Sequence, residues 1–147
     1  MSVLTPGKPF GMTTIQECMD MDWQDGALTM AGIVGGGTAV IHGVLVQRLM
    51  VRPIAALFAA DGKIGATIRR IVPVLLHFST FAWLTGAVAL IAVANLGFSA
   101  DTRHTTALCV AVLYAFGALG NLWGSRGRHP GWVLMAAALA LIAFGIA

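Results

Sequence analysis

The twenty residues from Leu28 to Gln47 contain no Asp, Glu, Lys or Arg. That run limits the fold more than any motif does. A helix needs about 20 apolar residues to cross the hydrocarbon of a bilayer. Within that layer only helices and closed barrels satisfy every backbone N–H and C=O. The run is continuous rather than alternating, so it predicts a helix, at about 28–49. Three further runs follow, at about 71–96, 104–123 and 131–147. The last is at the lower limit for a span. Charged residues make up 10% of the chain and hydrophobic ones 58%, whereas soluble domains carry roughly 25% charge. So little charge cannot cover a water-facing surface. The expected fold class is all-α and integral to the membrane. Short connections after the second run predict an up-and-down bundle of four transmembrane helices.

The flanking segments divide the chain. Residues 1–26 read as an acidic tail, with Glu17, Asp20, Asp22 and Asp25 against Lys8, and residues 27–147 as the four-helix transmembrane domain. No basic stretch leads into an early apolar core, so the tail is not expected to be a cleavable signal peptide. Thr14 and Glu17 have capping-box spacing. Ile15, Met19 and Trp23 recur at helical spacing, which predicts a short N-terminal amphipathic segment ended by Asp25-Gly26. In the first long loop, Arg52-Pro53 opens a second short helix, because proline suits a first helical turn. Ile54, Leu57 and Phe58 share a face of it, and Asp61-Gly62 closes it. This is the expected interfacial helix. Pro73 is expected in the first turn of the second span.

Orientation follows from Lys and Arg. Arg48, Arg52, Lys63, Arg69, Arg70, Arg126 and Arg128 flank one set of loops, and only Lys8 and Arg103 flank the other. Seven against two places the basic loops in the cytoplasm. The expected location is a bacterial inner membrane, with both termini periplasmic. Trp23, Trp123 and Trp132 fall at the predicted interfaces. The basic residues sit at the ends of apolar runs, which points to anionic lipid as a partner and not to nucleic acid.

Few residues in the spans bear chemistry. His42 lies seven residues before Leu49, and His77 lies seven after Arg70. At 1.5 Å rise per residue each is about 10 Å inside its helix from the basic end. Ionisable residues in a span are candidate functional sites, and neutral imidazoles ligate metals and haem iron. Two depth-matched histidines therefore make His42 and His77 candidate axial ligands of a haem b. Thr80 and Tyr114 would flank the site, and Arg48 and Arg70 would meet the propionates. The competing expectation is hydrogen bonding across helices, with His42 reaching Tyr114, Asn121 or a hydroxyl. His104 alone lies at the outer level, so no second haem is expected. Tyr114, Gly117 and Asn121 form a stripe that marks the inward face of the third span. Gly32, Gly36 and Gly43 lie on one face of the first, where small residues allow close packing within the bundle or in a homo-oligomer.

Other chemistries lack their residues. Cys18 and Cys109 have no CxxC spacing, so they make neither a zinc site nor a disulfide framework. No carboxylate lies in a span, which argues against a carboxylate-type proton carrier. HExxH, P-loop and GxSxG motifs are absent. The expected role is a ligand- or partner-binding accessory subunit of the membrane, in a homo-oligomer or a larger membrane complex, and not a stand-alone enzyme; a haem-b redox protein and a small transporter are the alternatives.

Overall fold

A computed structural model describes the backbone of residues 12–60 and 64–147 and the side chains of 23–60 and 64–147. The side chains of the predicted capping box, together with Lys8 and Lys63, lie outside the described residues. Everything described is helix or short connection. Helix α1 spans Met12–Val46, a π-helical turn spans Gln47–Val51, and α2 spans Arg52–Ala60. Helices α3, α4 and α5 follow at Ala66–Asn95, Ala100–Gly124 and Gly131–Gly145. Three stretches are long and apolar enough to cross a membrane: Trp23–Ala60, Ala66–Asn95 and Ala100–Gly124. The fourth, α5, is apolar but has only 15 residues.

Four boundaries differ from the expected ones, three of them for an evident local reason. Helix α1 runs through Asp25-Gly26 without a break. Gly26 costs about 1 kcal/mol in a helix relative to alanine, which the surrounding helix tolerates. The first span also continues into α2 instead of stopping before a separate helix. Pro53 has no N–H for the carbonyl of Leu49, and its ring would collide with that carbonyl. The π turn lies directly before it, and Arg52 donates to the carbonyl of Gln47, five residues back. One wider turn accommodates the proline without ending the helix. Helix α4 begins four residues before the apolar run, because the Ser99 hydroxyl caps it by accepting from the N–H of Thr102 at 3.3 Å. Pro73, expected in a first turn, stands in the third turn of α3, since that helix starts at Ala66.

Helix α1 packs against α3 and α5, and α4 packs against the same two. Contacts fix the directions. Asn95 donates to Thr29 at 3.0 Å, and Arg103 pairs with Asp25 at 2.8 Å. Arg103 also donates to Gln24 at 3.1 Å and to the carbonyl of Gly145 at 3.4 Å. These groups gather at one end. His42, Ser79 and His129 lie toward the other, with the arginine-rich connections. Successive long helices therefore run in opposite directions.

The core is concentrated in the half away from those arginines. Leu28, Leu90, Met135 and Ile142 are fully buried, and Tyr114 closes this half toward the arginine-rich end. Small residues let the helices approach closely. Gly35 faces the Tyr114 ring so tightly that a Cβ there would overlap its hydroxyl. Gly32 and Gly36 lie against Ala87, and Gly43 lies against Thr80. The glycine face of α1 is thus occupied by α3 of the same chain.

Candidate functional site

At the arginine-rich end the ring of helices opens. A cavity of about 210 Å³ lies there, lined chiefly by Thr38, His42, Trp83, Asn121, His129 and Gly131. A groove of about 520 Å³ shares His42, Leu45, Asn121 and His129 with it and continues along Leu49, Met50, Gly120 and Gly124. Both walls of that groove have a sequence cause. The π turn before Pro53 supplies Leu49 and Met50, and two glycines one turn apart on α4, Gly120 and Gly124, thin the opposite wall beside Asn121 and Ser125.

His42 is half-buried. Its Nε2 is 3.2 Å from the Ser79 hydroxyl, and its ring lies 4.6 Å from that of Trp83, tilted by 52°. Trp83 is only 6% exposed and packs against Gly117. The expected interhelical bond to a hydroxyl is therefore present, with Ser79 as the partner.

His129 reaches the cavity through a tight loop. Helix α4 ends in a Schellman turn, in which Gly127 donates to the carbonyl of Leu122 at 2.8 Å and Arg126 to that of Trp123 at 3.2 Å. Arg126 takes the left-handed position, φ 52°, that glycine usually fills. The N–H of His129 then donates to the Ser125 hydroxyl, and the N–H of Gly131 donates to His129 Nδ1 at 3.0 Å. Trp132 clamps the loop by donating to the carbonyl of Gly127 at 3.3 Å. The imidazole is therefore positioned by its own backbone. Asn121 is fixed similarly, its Nδ2 donating to the carbonyl of Gly117 at 2.9 Å.

The residues predicted for a haem are placed as follows. His77 is half-buried, and its Nε2 lies 3.0 Å from Gln47 Oε1, so it does not line the cavity. A single iron between His42 and His77 would require both rings to leave Ser79 and Gln47. Thr80 has a buried hydroxyl oxygen with no hydrogen-bond partner among the described residues. Tyr114 is buried on the inward face of α4 and donates to the carbonyl of Trp83 at 3.4 Å. Arg48 and Arg70 are exposed and lie outside the cavity wall. His129 and Trp83 were not among the sequence candidates for this site. The signal for His129 was the Gly127…Pro130-Gly131 pattern, which turns the chain back onto the bundle end.

Comparison with protein-family models, with curated proteins and with solved structures gave no match.

Proposed function

We propose that this chain is a small multi-pass protein of a bacterial inner membrane that binds a small amphipathic molecule, as an accessory subunit and not a stand-alone enzyme. Its long helices form a four-helix transmembrane bundle, with the arginine-rich end in the cytoplasm and both termini periplasmic. The lopsided distribution of Lys and Arg supports that orientation, and Arg103 at the other end is matched by Asp25. The observation that carries the binding role is the cavity. Its wall is apolar apart from a few polar side chains at one level, among them His42, Asn121 and His129. Ligand sites have this character, an apolar enclosure with few polar groups that set orientation.

Purification in a mild detergent, organic extraction and mass spectrometry test the role. Leu134 also lines the cavity, and the wild-type protein is expected to carry an amphiphile that a Leu134→Trp variant, whose larger side chain fills that space, does not retain. Identical extracts from the two proteins would sink the reading. A visible spectrum serves as the second arm. A Soret band lost in both His42→Ala and His77→Ala would replace this role by haem binding.

A further inference from the structure

We infer that the cavity takes the hydroxyl-bearing head of a neutral single-ring amphiphile, a phenol or a quinol, with Asn121 and His129 bonding the same hydroxyl. This rests on the reading that the cavity binds a small amphipathic molecule. Two polar groups decide the class, and neither can be turned round. The carbonyl of Gly117 only accepts, so the Asn121 atom 2.9 Å from it must be the amide nitrogen. Its Oδ1 is left as an acceptor with no partner among the described residues, beside Gly131 on the cavity wall. The N–H of Gly131 only donates, so His129 Nδ1 carries no proton. In the neutral ring the proton is then on Nε2, a donor with no partner among the described residues.

One acceptor and one donor therefore line the same small space. A hydroxyl satisfies both, donating to Asn121 and accepting from His129. An ether or a quinone carbonyl accepts from His129 but covers Asn121 Oδ1 without bonding it, and an acceptor covered without a partner is costly. Size limits the head to one ring. An apolar cavity of about 150 Å³ holds benzene, and this one measures about 210 Å³. A porphyrin is far too large for it. Among the described residues no Asp, Glu, Lys or Arg lines the cavity, so the head is neutral. The His42 and Trp83 rings, tilted by 52° to each other, supply aromatic faces to the cavity. An alkyl substituent follows the groove past Leu49 and Met50, where Gly120 and Gly124 leave room.

The test uses the full chain in nanodiscs, with protein-free nanodiscs as the blank for partitioning. Titrations compare para-pentylphenol with its methyl ether, para-pentylanisole. The phenol is expected to bind about tenfold more tightly or better, the size of effect one unmade buried hydrogen bond produces. Asn121→Leu is expected to abolish the preference, so that phenol and ether bind with equal affinity, and measurable binding of both also shows that the variant is folded. His129→Phe is expected to weaken both, since both oxygens accept from it. Equal binding of phenol and ether to the wild type overturns the inference and leaves the binding role standing. A preference that persists in Asn121→Leu also overturns it. Failure of either probe to bind overturns the inference and the role together.

Discussion

Alanine at Gly35 and at Gly37 makes a matched pair that probes how tightly the helices are packed. Both positions lie in the middle of α1. A methyl group at Gly37 meets nothing within 4 Å, whereas one at Gly35 overlaps the hydroxyl and ring of Tyr114. Tyr114 has nowhere to retreat. It is 0% exposed, and its far edge lies 3.8 Å from the position a Cβ would take on Gly86. Overpacking of this kind costs about 1–3 kcal/mol. Each substitution also removes a helical glycine, a gain of up to about 1 kcal/mol in water. That term is common to both variants and cancels in their difference. The expected difference in unfolding free energy is therefore about 1–3 kcal/mol in favour of Gly37→Ala. Reversible unfolding in mixed micelles of rising SDS fraction, followed by tryptophan fluorescence, measures it. Tyr114→Leu introduced into Gly35→Ala should recover part of the loss, because contacting residues couple. Equal stability of the two alanine variants would refute the close packing of α1 on Tyr114.

Three further outcomes are expected. Tyr114→Ala removes a fully buried ring, and at about 24 cal/mol per Å³ a void of roughly 100 Å³ costs about 2.4 kcal/mol. Leu113→Ala, at an exposed position, should cost less in the same unfolding assay; the reverse order would place the wrong face of α4 inward. Arg103→Lys should destabilise by about 1–3 kcal/mol, because a single ammonium cannot reach Asp25, Gln24 and the Gly145 carbonyl as the guanidinium does. Asp25→Asn, which keeps the last two bonds, should lose less, and an equal loss in both variants would show that the ion pair dominates. In a background lacking Cys18 and Cys109, a membrane-impermeant maleimide should modify Ala59→Cys only from the cytoplasmic side. Labelling from outside intact cells would invert the proposed topology.

Most of the fold was legible as runs of apolar residues, because the bilayer demands a minimum length and a paired backbone. The ends of the helices were not. Hydropathy stops at the first charged residue, while a helix continues as long as its backbone bonds are made. Ser99 extends α4 past Asp101 and Arg103 by capping it. The π turn carries the first span past Pro53. Both signals were present in the sequence, but a cap and a proline can each be read as a start or as a stop. Neighbouring elements decide which.

The site shows a related division. Counting from the charged ends sets His42 and His77 level, but the contacts stagger them by about one turn, because Gly43 meets Thr80 while Gln47 meets His77. Rotation about the helix axis does not follow from counting. It depends on where the small residues let α1 and α3 approach, and here Gly32 and Gly36 set α1 against Ala87 while Gly43 meets Thr80. That register gives His42 to Ser79 and His77 to Gln47. The open end has the opposite cause. Tyr114 and Trp83 fill the space between α1 and α4 up to the level of His42, and past that level Gly120 and Gly124 supply nothing to fill it. The loop then returns His129 to the gap, where its backbone-held Nδ1 leaves Nε2 as a donor on a residue that lines the same cavity as Asn121. Close packing in one half and missing side chains in the other thus have a single origin, the placement of glycines, and the polar residues of the cavity stand where the packing ends.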